Sequence, residues 1–292
     1  MTALAPRDWF LPLVVAFQSV KDRLIRSNSM PRAPANPAHQ TGFVSLVGAG
    51  PGAADLITMR GLARLQRADV VYYDRLADPA LLDHAPRHAA RIYVGKAAGC
   101  HAMPQARINA LLVQAALVGK QVVRLKCGDP GIFARGAEEA DALTAAAVAW
   151  EIVPGVTSAC AAAASARSFL TERGQTERLI LATGHLRHEG RQDWSGSAQP
   201  GTTLGCYMGV AQVQSLAQGL RAAGWPEGAP VQVVSKAQTP DEQIFECRLN
   251  GLEALCAQHS ELSPAMLLIR WPLELGATAE QTARIPGAAS LL

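Results

Sequence analysis

Three apolar runs in this chain each end on residues able to move a proton or grip an anion. Ala68 to Tyr73 ends on Asp74-Arg75, Ile92 to Val94 leads into Gly95-Lys96, and Val122 to Lys126 runs into Cys127-Gly128-Asp129-Pro130. A charged pair at a strand end is expected to face a crevice. In a parallel sheet such ends share one face, so Asp74, Arg75 and Lys96 are expected to converge on one ligand. The bland alternative is a solvated loop pair, worth less than about 1 kcal/mol. Arg124, Lys126 and Arg135 bring three positive charges to the third segment, and Glu138 and Glu139 fall near the positive end of the helix that follows it. Upstream, Gly48-Ala49-Gly50-Pro51-Gly52-Ala53 matches the dinucleotide fingerprint, with Asp74 about the right distance on to hold a ribose hydroxyl. That pattern alone describes an NAD(P)-dependent oxidoreductase. Against it stands the second ligand-type loop at Gly128-Asp129-Pro130, which such an enzyme does not require.

These residues need a scaffold that brings strand ends together. Phe43 to Val47, Ala68 to Tyr73, Ile92 to Val94, the run from Val122 and Trp150 to Val153 read as strands. Helical patterns over Asp55 to Arg67, Pro104 to Val118 and Ala137 to Val148 separate them. Strand and helix in alternation predict a mainly parallel sheet. Beyond Pro154-Gly155, Val156-Thr157-Ser158 opens an alanine-rich helix to about Arg167, with Thr and Ser as ordinary capping residues. Strands recur at Leu179 to Thr183, Thr203 to Met208, Val231 to Ser235 and Ala265 to Arg270, with a helix over Val210 to Ala223. The expected organisation is an N-terminal extension over 1–41, α/β domains over 42–153 and 154–274, and a tail over 275–292.

Composition narrows the field. The 292 residues are 49% hydrophobic and 17% charged, too apolar for a disordered chain. A net charge of +3 with 5% aromatic residues leaves no nucleic-acid footprint, while a polyanionic small molecule stays compatible if basic groups cluster. The six cysteines form no CxxC pair, and read as reduced thiols of a cytoplasmic protein. The pairs His84/His88 and His185/His188 have helical ligand spacing, but no further ligand completes a metal set. The apolar run Trp9 to Phe17 is far short of the roughly 20 residues that span a bilayer. Its flanking charges are ordered wrongly for a signal peptide. An amphipathic helix there, or a start at Met30, are the readings left for the extension.

Arg124 to Arg135 resembles the RLKGGDPFIFGR signature of the uroporphyrinogen-III C-methyltransferases, with Cys127 in place of a glycine, Gly131 in place of Phe and Ala134 in place of Gly. Leu46 to Leu76 resembles that family's LVGAGPGDPELLT…ADVVVYDRLV block. Pro154 to Ala159 is similar to PGITSA, Thr183 to Leu186 to TGHL, and Tyr207-Met208-Gly209 to YMG. Ser165 to Arg173 departs most, standing where the family has YAGIPLTHR. Ala97 replaces the Arg of the family's GKR, and Ala237 replaces a glycine. The resemblance covers about Phe43 to Pro272.

The resemblance implies two α/β domains with a cofactor cleft between them, a tetrapyrrole methylase-like fold, usually a cytoplasmic homodimer. The implied cofactor is S-adenosyl-L-methionine, and the implied reaction methylates uroporphyrinogen III at C2 and C7, giving precorrin-2 for sirohaem, cobalamin or haem d1 synthesis. The cofactor side would be Pro51, Cys127, Gly128, Asp129, Ile132, Thr157, Ser158, Met208 and Ala237. By itself Met208 would read as a core filler. Asp74 would be the base and Lys96 the acid, and Arg75, Arg135 and Arg173 would pair with the substrate's carboxylates. The implied partner is thus a small-molecule tetrapyrrole, with no nucleic acid, membrane or metal. A methylase of a later corrin intermediate, or of a modified protein or RNA, is an alternative on the same fold. A cofactor-binding paralogue without activity is the non-enzyme alternative.

Overall fold

Val44, Leu46 and Val47 are fully buried in the first strand, β1 (Phe43–Gly48), and that burial on both faces dictates a sheet covered on two sides. The computed structural model describes residues 42–95, 103–184, 192–259 and 261–274. Expectations for the extension (including Met30), the tail, Lys96, Ala97, Cys100, His185 and His188 lie outside those residues.

Around β1 are arranged β2 (Val70–Tyr73), β3 (Ala90–Tyr93), β4 (Gln121–Lys126) and β5 (Ala149–Val153), in the order β3-β2-β4-β1-β5. Every pairing is parallel, as the alternation of elements predicts. Helices α1 (Met59–Leu65), α2 (Gln105–Leu117) and α3 (Gly136–Ala145) supply the layers. Val44, Leu46 and Val122 pack with Ile108, Leu112 and Leu143 of α2 and α3 on one face. Val47, Val71 and Leu125 pack with Leu65 and Leu81 on the other. The helix expected from Asp55 begins only at Met59. Thr58 caps it by accepting from the Gly61 N–H at 3.1 Å, and Ala54–Leu56 forms a separate 3₁₀ turn.

The second sheet holds β6 (Arg178–Thr183), β7 (Thr202–Tyr207), β8 (Pro230–Ser235), β9 (Gln243–Arg248) and β10 (Ala265–Trp271), in the order β6-β7-β10-β8-β9. Only β6 and β7 are parallel; the remaining pairs are antiparallel. Helices α5 (Val213–Ala222) and α6 (Leu252–Gln258) bury Leu216, Leu220 and Leu252 against Leu204, Val233 and Leu267. The alanine-rich α4 (Ser158–Ser165) lies on the opposite face, where Ala159, Ala162 and Ala163 meet Val234, Met266 and Leu268. Small side chains let that helix sit close to the strands. Strand β9, an edge strand whose sequence Gln-Ile-Phe-Glu-Cys-Arg mixes polar and apolar residues without a clean alternation, was not anticipated. Tyr207 ends β7, one residue earlier than expected, because Met208 turns to φ 55°.

Candidate functional site

Parallel strands deliver their carboxyl ends to one edge, and here three of those ends are stitched together through backbone. Gly50, after β1, exchanges two hydrogen bonds with Gly128, after β4: Gly128 N–H to Gly50 O at 2.7 Å and Gly50 N–H to Gly128 O at 3.3 Å. Both take positive φ, 79° and 67°, a conformation glycine adopts without steric penalty. The segment after β5 closes on the same point. A Cβ on Gly155 would stand 2.2 Å from Gly128 O and 2.8 Å from Gly48 Cα. Asp129 fastens the join, its carboxylate accepting from Gly131 N–H at 2.7 Å and Gly155 N–H at 3.0 Å.

The second sheet meets these loops at two places. Gly52 lies against the turn after β8, where a Cβ would be 2.5 Å from Ala237 O and 2.7 Å from Gln238 O. Ala237 stands where the resembling family has glycine; the positive φ values fall on Lys236 and Gln238 at either side, so alanine is accommodated. Tyr207, at the end of β7, makes the other meeting. Its ring packs on Phe133 with centroids 5.0 Å apart, while its hydroxyl bonds to Thr157 Oγ1 and accepts from Ala159 N–H at 3.3 Å. Burial is the main reason its hydroxyl is held above the ordinary phenol range.

Pro51, Cys127, Gly128, Asp129, Ile132, Thr157, Met208 and Ala237 thus lie on the loops that these contacts draw together, and Ser158 opens α4 beside them. Met208, next to Tyr207 in the chain, is 50% exposed, and Phe133, 42% exposed, packs on the Tyr207 ring whose hydroxyl bonds Thr157. Exposed thioether and aromatic surface next to hydroxyls and loop backbone suits a ligand with an apolar ring system and a polar ribose and amino-acid end, as S-adenosylmethionine has. Ala159 N–H is already taken by Tyr207, so the start of α4 offers a ligand less free backbone than its sequence suggests. Cys127 is a poor nucleophile: burial, then the nearby Asp74 charge, push its thiol up to about 12.

Asp74 sits on the same edge. Its Oδ2 accepts from Arg124 Nη2 at 3.3 Å and its Oδ1 from Leu76 N–H at 3.2 Å. Arg75 is exposed beside it, its backbone nitrogen next to Gly95. The three positive charges expected of the 124–135 segment are not available as a group. Arg124 and Lys126 alternate onto the face covered by α3, where fully buried Glu139 accepts from Arg124 Nε at 3.1 Å and Lys126 Nζ at 2.9 Å. Desolvation, reinforced by Arg124, lowers the Lys126 ammonium despite that partner. Arg135 is exposed and forms a two-pronged pair with Glu138, at 2.8 and 2.7 Å.

Arg173 lies elsewhere. It is exposed in a turn closed by hydrogen bonds between Glu172 and Thr176, next to the start of β6. Gln175 O accepts from Leu273 N–H and Gly201 O from Glu177 N–H, which ties this turn to the end of the second sheet away from Tyr207. That separation is about one strand length, ~17–20 Å. Sequence reasoning gave no site role to Tyr207, Phe133 or Glu139. The i, i+2 spacing of Arg124 and Lys126 before a Glu-Glu pair was the available signal for the last.

The dinucleotide pattern does not have the geometry its name implies. Gly50 spends its N–H and C=O on Gly128, and no α-helix opens until Met59. Among the described residues no helix is long and apolar enough to cross a membrane, and no group of His, Cys, Asp and Glu forms a metal site.

The sequence profile of the tetrapyrrole (corrin/porphyrin) methylases matches residues 44–253. A uroporphyrinogen-III C-methyltransferase of Paracoccus denitrificans is 45% identical over 230 residues, 78% of this chain and 80% of that one. A siroheme synthase of Gluconacetobacter diazotrophicus is 44% identical over 234 residues, 80% of this chain but 50% of that one, so the chain spans about half the length of such relatives. Among solved structures, the uroporphyrin-III C-methyltransferase of Thermus thermophilus complexed with S-adenosyl homocysteine superposes with a TM-score of 0.68 at 35% identity, covering 78% of this chain and 92% of that one. A cobalt precorrin-4 methyltransferase superposes with a TM-score of 0.71 at 31% identity, covering 82% and 100%.

Proposed function

The chain belongs to the tetrapyrrole methylase family, and from that premise we propose that it methylates uroporphyrinogen III at C2 and C7 to give precorrin-2. The observation that carries this reading is the convergence of loops at Gly50–Gly128, Gly52–Ala237 and Thr157–Tyr207, with Asp74 at the end of a neighbouring strand. S-adenosylmethionine supplies an electrophilic sulfonium methyl when bound. Pro51, Gly128, Ile132, Thr157, Ser158, Met208 and Ala237 bind and orient it, Asp129 holding their loops in register and Cys127 offering its backbone. In-line approach of the pyrrole carbon at about 3 to 3.5 Å is then a matter of positioning. Asp74 accepts the proton lost from the methylated ring, with Lys96 as the acid. Arg75 pairs with peripheral carboxylates of the substrate. Arg135 joins it by exchanging its Glu138 partner for one of them. Arg173 serves that role only through a larger movement or a neighbouring copy.

The division of the chain at 153/154 follows the end of the first sheet. A homodimer is supported by exposed Leu179 and Ile244 on the two outer strands of the second sheet and by exposed Phe169 after α4. Among the described residues the cysteines, such as buried Cys206, are free thiols, which supports a cytoplasmic setting. The products would feed sirohaem, cobalamin or haem d1 synthesis.

The test is transfer of labelled methyl from S-adenosylmethionine to uroporphyrinogen III, with S-adenosylhomocysteine and NADH binding measured by calorimetry. Two methyl groups per tetrapyrrole and S-adenosylhomocysteine binding without NADH affinity are expected. Label on a later corrinoid only, or NADH binding alone, would reject the proposal.

A further inference from the structure

We propose that Glu139 is a positioning residue for methyl transfer: acting through Arg124, it fixes how Asp74 presents its carboxylate to the gap. The proposal rests on the reading of Asp74 as the proton acceptor.

The argument begins with burial. Arg124, Lys126 and Glu139 are 4%, 3% and 0% exposed, on the sheet face packed by α2 and α3. Burying such a cluster is expensive, and apolar residues of similar volume commonly serve stability as well or better. Its arrangement, however, is directional. Glu139 gives one oxygen to each cation, Oε1 to Arg124 Nε and Oε2 to Lys126 Nζ, and Gln105 Nε2 adds a contact to Oε1 at 3.2 Å. Arg124 Nη1 donates to the carbonyls of Leu125 at 3.0 Å and Tyr72 at 3.4 Å. A planar guanidinium held at Nε and Nη1 has one orientation left, and in it Nη2 faces Asp74 Oδ2.

Asp74 is the member of this cluster that reaches the gap, its side chain 28% exposed against 5% for Arg124. One oxygen is set by Arg124 and the other by the Leu76 amide. Glu139 is thus the fixed end of a lever of two side chains whose free end is the reacting carboxylate. Lys126 balances the second negative charge, so two cations serve two anions. Within such a network a change at the buried end is felt at the exposed one.

The experiment uses the full chain and the substitution Glu139→Gln, which keeps size and removes charge. The expected result is a ten- to hundred-fold fall in kcat on uroporphyrinogen III with the S-adenosylhomocysteine Kd within twofold of wild type. In an Asp74→Asn background the same substitution should change the residual rate less than twofold, because the group it acts through is gone. An unaltered kcat, or an equal loss in both backgrounds, would overturn the proposal. Should Glu139→Gln fail to fold, Arg124→Lys tests the same link, with the same expectations. A second measurement needs no substrate: the Leu76 amide resonance, which reports Asp74 through their hydrogen bond, should move in either variant, and an unmoved resonance would also overturn it. A wild-type chain that leaves uroporphyrinogen III unmethylated while that resonance responds would reject the functional reading and retain the Glu139–Asp74 link.

Discussion

Arg124 Nη2 and Asp74 Oδ2 lie 3.3 Å apart across neighbouring strands, joining a buried cation to a carboxylate at the edge of the gap. The pairing follows from parallel register: Tyr72 stands opposite Arg124, so Asp74 emerges two residues beyond, where the long arginine side chain reaches it. A carboxylate with one charged and one backbone donor is held in plane and still turns part of its surface to a ligand.

If that carboxylate takes the ring proton, Asp74→Ala should lower kcat by about 10²–10⁴-fold, the usual range for a lost general base. The cofactor loops do not depend on its side chain, so S-adenosylhomocysteine affinity should stay within a few fold. Methyl-transfer kinetics and calorimetry on one preparation check both halves. Full turnover would remove Asp74 from the chemistry.

Much of this site was legible from the chain itself, and the misses have specific causes. Strand ends at Asp74 and Gly128 could be read because a parallel sheet puts all such ends on one edge. The partners of Arg124 and Lys126 could not, because charge type says nothing of which face a strand turns to a helix; Glu139, read as a helix-end residue, proved to be their buried counter-ion. The distance of Arg173 from these loops was illegible for a similar reason. The helix α4 and the turn after it carry the chain the length of the second sheet, away from Tyr207, and no local pattern reports that direction. Strand β9 escaped because it is an edge strand with four of its six residues exposed, so no apolar face marks it.

Gly52 should be intolerant of any side chain. Its missing Cβ lets Ala237 O and Gln238 O come to 2.5 and 2.7 Å of that position, and these are backbone atoms with little room to yield. Gly52→Ala should destabilise the fold by ~1–3 kcal/mol, the usual range for overpacking. It should also weaken S-adenosylhomocysteine binding, since the loops on both sides of the gap must shift. Thermal unfolding and calorimetry test this; a variant with unchanged midpoint and affinity would show that the contact gives way freely.

Tyr207→Phe deletes one oxygen and leaves Thr157 Oγ1 and the Ala159 N–H without their partner, while the ring can still pack on Phe133. Leaving such groups unpaired costs ~1–3 kcal/mol. The expected signature is weaker cofactor binding with kcat at saturation little changed, because Thr157 lies on the proposed cofactor side. A variant with lowered kcat and unchanged affinity would place the hydroxyl in the chemistry instead.

Half-buried Cys127 and buried Cys206 should make the protein sensitive to alkali. Cys127 and Cys206 are each pushed up from the ordinary 9.0 to about 12, mainly by burial. Between those values the unfolded chain releases thiol protons that the folded chain keeps, so their contribution to stability is intact below pH 9 and declines as pH rises toward 12. Each thiol steepens the decline by up to about 1.4 kcal/mol per pH unit. Urea unfolding at a series of pH values should therefore show stability falling from pH ~9 upward, and Cys127→Ala should flatten that fall without altering the profile below pH 8. At pH 8 both thiols should resist an aromatic disulfide reagent until the protein is unfolded. Rapid native-state labelling of Cys127 would mean that its thiol gives up its proton more readily than its surroundings imply, or that the loop between β4 and α3 opens despite its hydrogen bonds to Gly50 and Gly155.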